Sequence, residues 1–296
     1  MEPIELDHSP SIAALAVIVP FHNGVADIDT LLASIEVAAL RSALWSKIFV
    51  VVADNASNPE DLEPVVRRQE LATIVSLREN LGFGAAVNEG YQVANNVGVD
   101  VSHVLLLNSD TVLDPEFFDE LGVAVQANPA GAVISPLIRT VDGEVWFSGG
   151  RFEWCRANSH HQFDQLSSPR RTELATGCAL LLPVSTWEIV GPWRDDLFMY
   201  YEDVEYSARL LRSGIPIIVW PTAVVYHKVA GSPGNSKRLY TYYSIRNRLW
   251  IFRELGVPSV ILAWVALYLW AKSWLRGGGV ARRAIRDGRH RRQHTL

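Results

Sequence analysis

Several short stretches of this 296-residue chain carry side chains that could do chemistry. Glu202-Asp203-Val204-Glu205 follows the aromatic run Phe198-Met199-Tyr200-Tyr201. Carboxylates beside apolar and aromatic neighbours are desolvated, which raises a carboxyl pKa toward the range of a general base. Acids in a first helical turn also complement the helix dipole, so the same residues admit a purely structural reading. Asn108-Ser109-Asp110 ends an apolar run, and a carboxylate there is placed to hold a divalent cation shared with substrate phosphates. A capping turn before Pro115 explains the same letters. Asp54 also follows an apolar run and could accept the imide N–H of a pyrimidine or a ribose hydroxyl; the turn-formers Asn55, Ser57 and Asn58 beside it equally suit a turn. Asn80-Leu81-Gly82-Phe83-Gly84 lets backbone approach a phosphate or nucleoside. It half-matches a dinucleotide fingerprint, but Val87 stands at the third glycine position and Asn108, not an acid, ends the next strand. His227, after Ala223-Val224-Val225-Tyr226, matters only if a metal site lies beside it. Tyr242-Tyr243 and Arg246-Asn247-Arg248 share one helical stretch, read either as a solvated face or as a basic grip on diphosphate.

These residues need elements to hold them. Residues 15–20, 47–52, 74–77, 103–107 and 132–138 read as strands. Helices fall between them at 27–44, 83–95 and from Pro115 to about residue 128. The alternation predicts an α/β fold with a mostly parallel sheet flanked by helices, and ligands binding beyond the carboxyl ends of the strands. Asp54, Asn80 and Asp110 should therefore meet on one sheet edge. Residues 139–172 break into Gly- and Ser-containing loops; 174–182 is apolar, 202–212 helical, 215–220 a strand and 237–255 an amphipathic helix. We divide the chain into a catalytic domain, 1–236, with a nucleotide-binding half at about 12–138 and an acceptor-side half at 139–236, and a helical region, 237–296.

At 49% hydrophobic and 20% charged residues, the composition is that of a folded chain and argues against global disorder. Cys155 and Cys178 lack metal-like spacing, which suits a reducing compartment. The first ten residues lack the basic region of a secretory signal. From Lys272 onward, eight Lys and Arg residues face the single acid Asp287, against a net charge of -5 for the whole chain. A basic tail beside an apolar run favours anionic lipid over nucleic acid as partner.

Taken in order, Val17-Ile-Val-Pro-Phe-His-Asn23, Val51-Val-Ala-Asp-Asn-Ala-Ser57, Asn80-Leu-Gly-Phe-Gly-Ala-Ala-Val-Asn88, Leu105-Leu-Leu-Asn-Ser-Asp110, Thr176-Gly-Cys178, Phe198-Met-Tyr-Tyr-Glu-Asp-Val-Glu-Tyr206 and Tyr242-Tyr-Ser-Ile-Arg-Asn247 resemble family 2 of the inverting glycosyltransferases, which have the GT-A fold. The resemblance runs over roughly residues 14–250 and is nearest to bacterial rhamnosyltransferases and galactofuranosyltransferases. It implies that Pro20, Asp54, Asn80, Gly82, Asn108, Asp110 and Arg246 bind the nucleotide-sugar donor. Asp110 and His227 would hold Mg2+ or Mn2+, Asp203 would be the general base, and Glu202 would orient the acceptor or tune Asp203. Gly177 would allow close approach of a sugar. Trp193, like Trp146 and Trp154, is either an acceptor-stacking or a core residue. Asn108 replaces the first acid of the usual Asp-x-Asp motif, a replacement common among related rhamnosyltransferases. The implied reaction transfers a sugar, rhamnose before galactofuranose, from a dTDP- or UDP-sugar to a lipid-linked or polysaccharide acceptor in cell-wall or surface glycan assembly.

Residues 257–275 are close to the length of a membrane span. Nucleotide sugars are cytosolic, and a span would put the arginine tail on the far side, against the positive-inside rule. Basic residues on both flanks and Trp264, Tyr268, Trp270 and Trp274 suit an in-plane or re-entrant segment instead, at the cytoplasmic face of a bacterial membrane, with 257–292 as the contact. A buried helix or an interface between copies, a homo-oligomer, is the other reading of this run. Two further classes stand beside the enzyme: a degenerate scaffold on a transferase fold, favoured only by Asn108, and a nicotinamide oxidoreductase, suggested only by the partial glycine motif.

Overall fold

The computed structural model describes residues 12–228, 235–275 and 278–290. Its first half runs β1 (Ala14–Phe21), α1 (Val25–Arg41), β2 (Ile48–Asp54), the single turn α2 (Glu63–Val66), β3 (Ala72–Ser76), α3 (Phe83–Asn96), β4 (Val101–Leu107), β5 (Thr111–Leu113), α4 (Phe117–Gln126) and β6 (Val133–Thr140). The second half runs β7 (Val145–Phe147), β8 (Gly150–Glu153), β9 (Asn158–His161), β10 (Arg170–Thr172), β11 (Ala179–Pro183), α5 (Val184–Val190), α6 (Glu202–Arg212), β12 (Ile217–His227), α7 (Asn235–Glu254), α8 (Ser259–Leu275) and α9 (Gly279–His290).

The main sheet has the order β10-β12-β6-β11-β4-β1-β2-β3, with β5 on β12 and β7 on β6. β1 shows why the apolar run is continuous. Leu15, Val17, Val19 and Phe21 enter one core with α1 and α4, while Ala16 and Ile18 enter a second core with α3, Trp187 and Tyr206. A strand covered on both faces has no polar side to alternate with. The four strands β3, β2, β1 and β4 are parallel as expected. Beyond them the sheet is mixed: β11 is antiparallel to both β4 and β6, which returns β6 and β12 to the direction of β4.

Residues 139–172, expected as loops, hold four strands of three or four residues each. Such pieces are too short to show a period of two. β12 is also longer than expected and carries on to His227. α7 is not amphipathic: Tyr242, Tyr243, Arg246, Asn247, Leu249, Trp250, Ile251 and Phe252 are all buried, so neighbours enclose most of its circumference. The C-terminal helices share a core with Phe152 of β8 and Val204 and Ala208 of α6, through Leu249, Phe252, Leu262 and Ile285. α9 crosses α7 closely, since a side chain on Gly288 would lie 2.5 Å from the Arg246 carbonyl. Among the described residues no helix is long and apolar enough to cross a membrane. Arg276, Arg291 and Arg292 of the expected membrane contact lie outside the described residues, as does the Trp274 side chain.

Candidate active site

A cleft of about 760 Å³ opens beyond the carboxyl ends of β1, β2, β4 and β12. The antiparallel β11 begins at the same edge, so Thr176, Gly177 and Cys178 join its floor. One wall is built from the ends of β1 and β2 and the loop before α3. Asn55 ties these together: its amide donates to the Gly82 carbonyl (3.0 Å), its side-chain oxygen accepts from Leu81 N–H (3.2 Å), and its own carbonyl contacts His22 Nδ1 (2.8 Å). Asn80 Oδ1 accepts from Gly82 N–H at 3.0 Å, closing the loop. Gly82 has φ 91°, and a Cβ there would stand 2.1 Å from the Phe198 carbonyl oxygen, so only glycine lets α3 start this close to the 197–201 turn.

The opposite side carries Glu202 and Asp203 at the start of α6. The turn leading to them holds Phe198, Tyr200 and Tyr201 at φ 68°, 66° and 73°, a left-handed backbone that raises the energy by roughly 1–2 kcal/mol per non-glycine residue. Its carbonyls are gathered from behind by α7. The Asn247 amide donates to those of Leu197, Met199 and Tyr200 at 3.1, 2.9 and 2.7 Å, and Arg246 donates to Leu197 at 2.7 Å. The Phe198 carbonyl points the other way, to Phe83 N–H at 2.8 Å. Asp203 accepts from the N–H groups of Val204 (2.8 Å) and Gly177 (3.4 Å), whereas Glu202 Oε2 is shielded and without a hydrogen-bond partner. Burial first and the Asp203 charge second push the Glu202 carboxyl up to about 8. Burial also raises Asp203, opposed by His161 and by those two N–H groups. The pair is thus unequal: Asp203 is held by two backbone N–H groups, and Glu202 Oε2 by none. Burial lowers the His161 imidazole of β9, against the pull of Asp203.

At the sheet side of the cleft, Asp110 Oδ1 lies 3.3 Å from His227 Nε2, and the Trp146 ring packs edge-on against His227 at 4.6 Å. Among the described residues no three His, Cys, Asp or Glu side chains converge as a closed metal cage. A carboxylate and an imidazole side by side in an open cleft are nonetheless a donor pair that Mg2+ or Mn2+ accepts when diphosphate oxygens and water complete the shell.

A family model described as "Glycosyl transferase family 2" matches residues 16–188, and one described as "Glycosyl transferase family group 2" matches 103–281. The chain belongs to glycosyltransferase family 2. It is 26% identical over 287 residues to the N-acetylglucosaminyl-diphospho-decaprenol L-rhamnosyltransferase of Mycobacterium tuberculosis, covering 86% of this chain and 93% of that one. It is 21% identical over 221 residues to the dTDP-rhamnosyl transferase RfbF of Shigella flexneri, covering 72% and 73% of the two. The structure superposes with a TM-score of 0.59 and 19% identity on the mannosyltransferase PcManGT of Pyrobaculum calidifontis in complex with GDP-Man and Mn2+, over 100% of this chain and 80% of that one. The fold of this family 2 glycosyltransferase is thus GT-A-like.

Most of the residues expected at the site of this glycosyltransferase line the cleft: Pro20, Asn80, Gly82, Asn108, Asp110, Gly177, Glu202, Asp203 and His227. Three do not. Asp54 is buried at the end of β2, where its carboxylate accepts from Ser57 N–H at 2.8 Å; Asn55 lines the cleft in its place. Trp193 is 2% exposed and stacks on Tyr206 at 4.4 Å in the core. Arg246 is also 2% exposed, lies among the rings of Tyr243 and Trp250, and donates to the Leu197 carbonyl of the turn. Sequence reading missed His161 and Asn55 as cleft residues and Asn247 as the support of the turn. For Asn247 a signal existed, since an amide amid Tyr242, Tyr243, Leu249, Trp250 and Phe252 is a buried polar group in need of partners.

Proposed function

We propose that this family 2 glycosyltransferase moves rhamnose from dTDP-rhamnose to a lipid-diphosphate-linked sugar, with inversion at the anomeric carbon. The observation that carries the reading is the unequal pair at the start of α6, Asp203 held by two backbone N–H groups beside a Glu202 whose Oε2 has no partner, in the cleft that also holds Asp110 and His227. Asp203 accepts the proton of the acceptor hydroxyl as that oxygen attacks in line. The N–H groups of Gly177 and Val204 hold its oxygens in place. Glu202, keeping its proton, spares the pair a second charge and offers an O–H to the acceptor. The Asn55-braced loop with Asn80 and Gly82 receives the nucleoside. Asp110 and His227 would hold the Mg2+ or Mn2+, which supplies neutralisation of the leaving nucleotide diphosphate.

The substrate assignment rests on the names of the two rhamnosyltransferases, one of which specifies a decaprenyl-diphosphate-linked acceptor and the other a dTDP donor. The acceptor's lipid also gives the C-terminal helices a role. α8 has 17 residues, about 26 Å at the rise of an α-helix, short of the roughly 30 Å hydrocarbon layer. Val260, Trp264, Leu267 and Tyr268 share one exposed face, with Trp264 69% and Tyr268 62% accessible, and Arg283, Arg286 and Arg289 of α9 are exposed nearby in sequence. We place this face in the plane of the cytoplasmic leaflet, aromatic side chains at headgroup level and arginines on lipid phosphates.

The test is nucleotide release from a panel of dTDP- and UDP-sugars with Mg2+ and a polyprenyl-diphosphate-linked N-acetylglucosamine. Turnover of dTDP-rhamnose with an inverted linkage is expected. Turnover of UDP-galactofuranose alone would replace the donor, and failure with every donor would leave a binding scaffold.

A further inference from the structure

The cleft's acceptor side is assembled by a residue that does not touch it. Asn247 lies on α7 with 0% of its surface exposed, and its two amide hydrogens are shared among three backbone carbonyls, those of Leu197, Met199 and Tyr200. Its side-chain oxygen is taken by Arg246 Nε at 2.7 Å, which fixes which way the amide faces. Carbonyls of an extended or helical segment do not converge in this way. They do so here because Phe198, Tyr200 and Tyr201 adopt left-handed backbone, while the intervening Phe198 carbonyl turns to Phe83 N–H at the base of the donor wall. The same turn presents Met199 and Tyr200 to the cleft and ends at Glu202 and Asp203. Three unfavourable conformations in four residues persist only where the surroundings over-determine them, and such strain gathers where geometry serves function.

We propose that Asn247, oriented by Arg246, is a positioning residue for sugar transfer: it clamps the 197–201 turn and thereby sets the place of Asp203 relative to the donor wall. This rests on the reading of Asp203 as the base. A base displaced by about 1 Å loses on the order of 10²-fold in rate, with donor binding less changed because Asn55 braces the donor loop independently of the turn. The clamp acts on kcat, not on the donor KM.

The test uses the full chain with Asn247→Asp, which keeps the shape but offers no donor, and Asn247→Ser as a second variant should the first not fold. The expected result is kcat lower by about 10²-fold with the donor KM within about threefold of the parent. Hydrogen exchange should quicken in the 197–203 backbone while β1 and β4 keep their protection. Unchanged protection of the turn would overturn the proposal. So would a loosened turn with kcat intact, or an equal loss of protection in the turn and the central strands, which is the mark of a merely structural residue. Should the parent turn over no donor, the transfer reading falls, and the exchange result alone decides whether Asn247 holds the turn.

Discussion

The strands β3, β2, β1 and β4 and the segment from residue 197 to the end of α7 face each other across one cleft, and they are held by different means. On the donor side, β2, β1 and β4 pack into two cores, one on each face of the sheet, with β3 as a half-exposed edge, and their residues arrive at the cleft because parallel strands end there. On the acceptor side, the backbone is unfavourable by itself and is kept in shape by a helix some fifty residues downstream. The strands follow one repeated pattern; the turn depends on hydrogen bonds from a distant helix. The strand ends should therefore tolerate loss of a single polar contact better than the 197–201 turn, whereas the loop at Asn80–Gly82 relies on Asn55.

The junction of the two regions is where the largest stability effect is expected. Gly82→Ala places a Cβ 2.1 Å from the Phe198 carbonyl and demands φ 91° of a residue that avoids it. We expect a loss of roughly 3 kcal/mol or more in chemical denaturation, with the activity lost alongside. A Gly82→Ala chain as stable as the parent would mean that the two walls are not in contact as described.

The acceptor side should also carry a pH signature that the donor side lacks. The Glu202 carboxyl is raised from its ordinary 4.5 to about 8, and Asp203 is raised too, so the native chain binds more protons than the unfolded one within that window. This contribution to stability is full below the unfolded value and is lost as pH rises through the native one. The melting temperature should therefore fall between about pH 5 and 8 relative to a Glu202→Gln chain, whose profile should be flatter. Parallel profiles for the two would remove the protonated Glu202 from the account.

A smaller effect is expected at the outer face of the acceptor side. Flotation with phosphatidylglycerol vesicles should capture the chain, and Trp264→Ser with Tyr268→Ser should weaken capture by about tenfold while leaving turnover of a soluble acceptor analogue intact. Equal capture by vesicles without anionic lipid would assign the binding to the apolar face alone.

The same contrast explains what was legible in the sequence. Apolar runs ending in Asp54-Asn55, Asn108-Ser109-Asp110 and His227 are local patterns, and they predicted the strand ends and most of the donor wall. The expected α6 matches the observed Glu202–Arg212. Position along the chain did not reveal which of two neighbours faces the cleft: Asp54 turns inward to cap Ser57 while Asn55 braces the loop, a choice made by tertiary hydrogen bonds. His161 was hidden because β7 and β9 are too short to show a pattern of their own. Trp193 and Arg246 were read by residue type, and type does not tell a stacked core ring or an enclosed guanidinium from a ligand contact.

The central claim is that Asp203 is the base of a glycosyl transfer, and the direct measurement is the rate of dTDP release from dTDP-rhamnose by the parent and by Asp203→Asn, with lipid-linked acceptor and Mg2+ present. The account expects the variant to be slower by about 10²–10⁴-fold while binding dTDP within about threefold of the parent. A variant that binds the nucleotide and keeps most of the parent rate would contradict it.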